Sequence, residues 1–382
     1  MAVLVGRLQP KRHRLLTSID DTKAMQRFLD NAASSGKIAY FDKGAYIVSD
    51  TINVPANVKI VGELYSIIMG TGSNFQDQSN PRPIWKIGTP GELSTIEIQD
   101  LIFETKGPTP GAIVMEWNVV AATQGSAGMW DAHFRIGATA GTEMQQDKCL
   151  KAPGTKVSLT DSSVTDCTAA FLLLHITPQA NGYFENVWGW VSDHELDLGT
   201  RDQVTIYNGR GFLIEGDGPN WLYGTSAEHS TLYNYQWSNT RNTFAGVIQT
   251  ETAYFQGNPN SKIPFTPQAS WNDPTFDDCT ANNCARTWGA RFVNSSDIYI
   301  YGSGLYNFFE NYNTASCLGT ESCQQHMVDI QNSTNIYLWA FNTKGSSYMV
   351  DIEGSDLLSW QVNRAGFCAT AVLLEVADNN DS

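Results

Sequence analysis

RFVNSSDIYIYGSG at 291–304 and DIQNSTNIYLWAFN at 329–342 are one pattern written twice. Asn294 aligns with Asn332, and each segment reads as a short strand, a polar corner and another short strand. FENVWGW at 184–190 and IQDLIFE at 98–104 have the same form, with Asn186 and Asp100 at the corner. Many short strands with Asn and Ser corners, without alternating helices, describe a solenoid whose coils stack. The expected fold is all-β: a single-stranded right-handed parallel β-helix. Its coils should lie about 4.8 Å apart, and corner asparagines should ladder their amides. A β-sandwich with Gly/Asn turns is the alternative, but its strands should alternate polar and apolar residues more cleanly.

One helix is expected ahead of the coils, near 20–35. Ser18 or Asp20 can cap DDTKAMQRFLDNAASSG, Met25, Phe28 and Leu29 fall at helical spacing, and Gly36 stops it. Such a helix would cover the open end of the solenoid and its exposed strand edge. From there, IAYFDKGAYIVSDTINVPANVKIVGE begins a series of short apolar runs broken by Gly, Asn and Pro. The expected organisation is a β-helix over 17–375, an N-terminal segment 1–16 outside it, and a tail at 376–382. MAVLVGRLQPKRHRLL places basic residues after a short apolar run, the reverse of a signal peptide. The expectation is a fragment, a mis-assigned start or the back part of a longer protein.

Composition narrows the function. The 382 residues hold 24 Lys+Arg against 39 Asp+Glu, a formal net charge of −15. That argues against a nucleic-acid partner, because phosphate backbones are held by excess positive charge. No apolar run reaches the roughly 18 residues of a membrane-spanning helix, so no membrane partner is expected. No phosphate loop, dinucleotide fingerprint, nucleophile elbow or zincin motif occurs. The six His make no metal pattern, so neither a cofactor nor a metal is called for.

The cysteines point to a compartment. Cys279 with Cys284, and Cys317 with Cys323, lie close together in polar stretches and read as local disulfides. A zinc site is the rival, but neither pair has a His partner at finger spacing. Cys149 and Cys167 can form a third pair, leaving Cys368 odd. Disulfides, with the sequons at Asn294 and Asn332, fit an extracellular, secreted protein.

The segment 183–256 concentrates Trp188, Trp190, Trp221, Tyr223, Tyr233, Tyr235, Trp237 and Tyr254 beside Asp193, Glu195, Glu215, Glu228 and Glu251. Rings stack on the apolar faces of sugars, and glycoside cleavage needs a protonated carboxyl and a second group that activates water. Glu228 and Glu251 are 23 residues apart (251 − 228). Small solenoid repeats take roughly 20–29 residues, so the two occupy similar positions on neighbouring coils. Two carboxyls that close must differ in pKa, which separates an acid from a base. The alternative is that both are solvated on an exposed face.

These segments carry a family resemblance. The opening coils resemble the pectate-lyase-like β-helix superfamily. HITPQANGYFENVWGWVSDHELD, GRGFLIEGDGPNWLYGTSAEHSTLYNY and GVIQTETAYFQGNP resemble the C-terminal half of fungal glycoside hydrolase family 55, which are exo-acting β-1,3-glucanases. The resemblance covers about residues 17–375. It implies an inverting hydrolase of laminarin-type β-1,3-glucan acting from the non-reducing end. It implies that Glu251 is the general acid and that Glu228 helps polarise the attacking water. Trp221, Tyr223, Tyr254 and His229 would bind substrate, whereas Asp193 and Glu195 are read first as structural or hydrogen-bonding groups. Family members pair two β-helical domains with the site between them, so a sister β-helix is an implied partner. Weak or no activity is expected of this chain alone. The alternatives are a non-catalytic glycan-binding or structural β-helix, and then a pectate-lyase-type eliminase using Ca²⁺ and a basic residue.

Overall fold

A computed structural model describes residues 5–8 (backbone only), 20–151 and 156–377. It is a parallel β-helix. The chain passes alternately through a fifteen-stranded and a ten-stranded sheet, and within both the pairing is parallel until the C-terminal strands. The coil that begins at Asn220 shows the unit without insertions. Asn220–Glu228 lies in the first sheet, Ser230–Ser238 in the second, and Arg241–Glu251 returns to the first. Asn220 pairs with Thr243 and Ser226 with Gln249, a rise of 23 residues per coil. The 291–304 and 329–342 segments are also stacked coils: Arg291 pairs with Asp329 and Ser296 with Thr334.

The asparagine ladder is present. Asn239, Asn294 and Asn332 hold positive φ at the corner between the sheets. Asn332 Nδ2 donates to Asn294 Oδ1 at 2.7 Å, and Asn294 Nδ2 to Asn239 Oδ1 at 3.3 Å. The segments at 184–190 and 98–104 belong to a different corner, in the middle of the first sheet's long strands. Following the register, Asp100, Asp131, Asn186, Gly224, Val247, Gly302 and Ala340 stack there, all with positive φ. Asn, Asp and Gly tolerate this backbone conformation. They can therefore mark any corner of a coil, and similar motifs need not stack on one another.

The interior is apolar and partly aromatic. Tyr235, Trp237 and Phe292 are buried and stack in sequence at 5.5 and 4.9 Å. The capping helix is Thr22–Ser35, with Met25, Leu29 and Ala32 buried. Asp20 accepts from the Thr22 amide at 2.9 Å, and Gly36, at φ +64°, closes the other end. Gln26 reproduces a strand partner. Its Nε2 donates to Asn53 O at 2.7 Å and its Oε1 accepts from Asn53 N at 2.8 Å, satisfying the open edge. Ser18 lies outside the described residues.

One boundary differs from the expectation. Within 1–16, Val5–Leu8 forms a strand parallel to Ile38–Phe41. An apolar stretch can supply the hydrogen-bonding row that the first coil leaves open. The rest of that segment, and 378–382, lie outside the described residues. All three anticipated disulfides form, Cys149–Cys167, Cys279–Cys284 and Cys317–Cys323, and Cys368 is a free thiol.

Candidate active site

Strand alternation and coil register together build the site. After the mid-strand corner at Gly224, Thr225 and Ala227 point into the core while Ser226 and Glu228 point outward. One coil on, Gln249 and Glu251 repeat the pattern. One coil before, Trp188 pairs with Ser226 and Trp190 with Glu228. One coil after, Gly304 pairs with Gln249 and Tyr306 with Glu251. The outer face therefore carries one row running Trp188, Ser226, Gln249, Gly304 and a second running Trp190, Glu228, Glu251, Tyr306. The 23-residue offset places Glu228 opposite Glu251, as the spacing predicts.

The two carboxyls have different surroundings. Glu228 is 9% exposed and accepts from Ser226 Oγ at 2.7 Å. Burial is the main cause of a pKa raised above the usual glutamate value, and the charge of Glu251 adds to it. His229, Ser226 and a hydrogen bond from the Trp188 indole oppose it. The Glu251 side chain is 21% exposed and accepts from Tyr254 Oη at 2.7 Å. Burial alone would raise it too, but the His229 charge and the Tyr254 and Gln249 donors outweigh burial and hold it below the ordinary value.

His229 is the electrostatic hinge of the pair. It occupies the next corner at φ +65° and is buried. Its Nδ1 donates to Val191 O at 2.8 Å, and its Nε2 lies 3.6 Å from Glu251 Oε2, an ion pair too long for a hydrogen bond. Burial disfavours its charge, but Glu251, Asp193 and Glu228 together raise it to about 9. Tyr254 packs edge-on against it at 4.7 Å and against Phe309 at 4.0 Å. Beyond Tyr254 opens a cavity of about 580 Å³ lined by Lys151, Gly257, Glu310 and Tyr312. The carboxyl pair lies outside it, on the open face.

Four of the six anticipated residues thus converge: Glu228, Glu251, His229 and Tyr254. Trp221 and Tyr223 sit before the Gly224 corner. Tyr223 belongs to an aromatic ladder along the adjoining face, 5.6 Å from Tyr183 and 5.3 Å from Phe244. Glu195 is structural: its oxygens accept from Gln145 Nε2 and from the Gln146, Asp197 and Leu198 amides. Asp193 contributes charge to His229. The sequence reading omitted Ser226, Gln249, Trp188 and Tyr306 from the site. A signal existed for the first two, which stand two residues before each glutamate and so share its face. None existed for Tyr306, which follows the insertion at 252–287. It folds back over its own strand: a Cβ on Gly304 would lie 2.2 Å from its hydroxyl, so a larger residue there would push the Tyr306 ring aside.

No family model matches the chain. Among curated proteins it is 49% identical, over 93% of its length, to a "Probable glucan endo-1,3-beta-glucosidase" of Arthroderma benhamiae. It is 39% identical, over 92%, to a "Glucan 1,3-beta-glucosidase" of Cochliobolus carbonum. It is also 40% identical, over 95%, to a "Non-secreted LysM effector LysM15" of Penicillium expansum. A solved structure of a variant of sacteLam55A from Streptomyces sp. SirexAA-E, in complex with glucose, shares the fold. Its TM-score is 0.55 at 16% identity, covering 91% of this chain and 52% of that one. The chain belongs with the β-1,3-glucanases of glycoside hydrolase family 55. It spans 40% and 44% of the lengths of the two glucanase relatives and 24% of the effector.

Proposed function

We propose that this chain carries the carboxyl pair of an inverting hydrolase that removes glucose from the non-reducing end of β-1,3-glucan. The observation that supports it is the placement of Glu228 and Glu251 on neighbouring coils in opposed electrostatic settings. Each has its own donors, Ser226 and Trp188 for Glu228 and Tyr254 for Glu251, and Ser226 and Gln249 link the two. Inversion further requires room for a water between acid and base.

Glu251, the more exposed, reaches the glycosidic oxygen and protonates it. Glu228 positions the water. In the free chain the shared proton rests on Glu228. Sugar that displaces water from Glu251 strips the solvation of its anion and moves the proton toward it. The kcat/KM of the free protein should then fall on the acid side as Glu251 takes up a second proton, and on the alkaline side as the proton leaves Glu228, whose pKa is raised. Leaving-group dependence tests the roles. Glu251→Gln should lose laminarin hydrolysis but keep much of its rate on an aryl β-glucoside with a highly acidic phenol, which departs without a proton. The same pattern in Glu228→Gln instead would exchange the two roles.

A sister β-helical domain packed beside this one would supply the opposite wall and further polar groups around the water, so this chain alone should turn over slowly. Three disulfides and the glucanase relatives support an extracellular setting.

A further inference from the structure

The stacked mid-strand corner contains an energetic anomaly. Six of its seven residues are Asp100, Asp131, Asn186, Gly224, Gly302 and Ala340; the seventh is Val247, at φ +56°. Asp, Asn and Gly accept this backbone readily and Ala pays a modest penalty, but a β-branched side chain is a genuine outlier there. Packing gives little in return, since Val247 is 69% exposed. Strain of this kind clusters at active sites and ligand clamps, so an uncompensated outlier points to a functional reading.

The surroundings say what that function is. Val247 stands on the same strand as Glu251, four residues before it, or roughly 13 Å along the strand. Its neighbours in register are glycines. A Cβ on Gly224 would meet nothing within 4 Å, and one on Gly302 would first meet Val247 itself at 3.8 Å. The isopropyl group therefore projects from a crest with a gap on either side. Tyr223 and Tyr301, 37% and 45% exposed, lie one coil before and one coil after Gly246, which precedes Val247, with the Phe244 ring 5.3 Å from each. The result is an exposed apolar knob at the corner, between the Tyr223–Phe244–Tyr301 ladder on one side and the face that carries the carboxyls on the other.

We propose that Val247, with Tyr223 and Tyr301, forms a distal subsite that receives the apolar face of a glucosyl unit several sugars from the cleaved bond. Val247 is thereby a determinant of chain-length preference. This rests on the β-1,3-glucan reading above. The left-handed backbone is what lifts the isopropyl group clear of the sheet, and the flanking glycines admit the sugar ring. A short ligand bound at Glu251 does not reach this crest, whereas a long chain does.

Laminarihexaose and glucose titrated against the full chain, alongside thermal melting, test the assignment. Val247→Asn copies Asn186 from the same corner, and Val247→Gly copies Gly224, so both relieve the strain. Each should melt about 1–3 °C higher than the parent. Each should also bind laminarihexaose roughly tenfold more weakly, with the loss confined to the long ligand. Higher melting with unchanged hexaose affinity would overturn the proposal and leave the carboxyl assignment intact. Equal losses for glucose and hexaose would overturn it too, by showing a disturbance of the whole face. A parent chain that binds neither sugar would overturn the glucan reading itself, and this subsite with it.

Discussion

Two outer faces of the solenoid carry charge in opposite ways. On the ten-stranded sheet, beneath the 252–287 insertion, each buried charge has a matched partner. Arg210 grips Asp273 through two nitrogens with both side chains fully buried, and its guanidinium sits 3.7 Å over Phe171. Arg291 pairs with Asp329 at 2.8 Å and also donates to Gln236 and to Asn272 O. On the fifteen-stranded sheet, Glu228, Glu251 and Asp193 share one imidazolium that none of them meets at hydrogen-bond distance. Closed pairs fasten a loop. An unbalanced cluster costs stability and keeps its proton movable, which suits chemistry. Comparable burial and residue types thus give a clamp in one place and a candidate acid–base pair in the other.

Mutations should separate the two faces. Glu251→Gln should lower the laminarin rate by roughly a thousandfold with only a modest loss of stability, since the charge it removes partners His229. Its partner prediction is Asp273→Asn, which strands Arg210 in the core and should destabilise the chain by about 3–5 kcal/mol in chemical denaturation. A large stability loss in the first variant, or none in the second, would erase the distinction.

His229 offers a sharper test. Its folded pKa is about 9 against an ordinary 6.5, so folding stabilises the charged ring. That contribution is complete below about pH 6.5 and is lost as pH climbs through 9. Glu251 runs the other way. Its lowered value contributes stability above the ordinary 4.5 that is lost as pH falls below it. Wild-type stability should therefore decline between pH 6.5 and 9, and His229→Gln should remove that slope. Without the imidazolium the pKa values of Glu228 and Glu251 both rise, so the alkaline limb of kcat/KM, set by Glu228, should move upward. A pH–stability curve identical in the two proteins would show that the ring is neutral.

The smallest effect belongs to a third kind of polar group. Asn294→Ala breaks two rungs of an exposed amide ladder and should cost about 1 kcal/mol, with no change in activity.

Much of this was legible in the sequence, for reasons that can be named. The 38-residue echo between Asn294 and Asn332 exposed the coil because a left-handed corner restricts residue choice. The 23 residues between Glu228 and Glu251 exposed the pair because no loop interrupts that coil. Ser226 and Gln249 were readable from strand alternation. Tyr306 was not, since an insertion stands between it and Glu251 and no spacing rule crosses a loop of arbitrary length.

The sequence by itself determined the coil, its corners, its cap and which two carboxyls become neighbours, because these follow from local backbone preference and a fixed rise per turn. Only the tertiary structure decided what those neighbours are electrostatically. Which glutamate is the more buried, which faces Tyr254, and that one histidine comes to lie within charge range of three carboxylates all depend on how separate coils enclose the same space. A pKa responds to that enclosure and not to the order of residues along the chain.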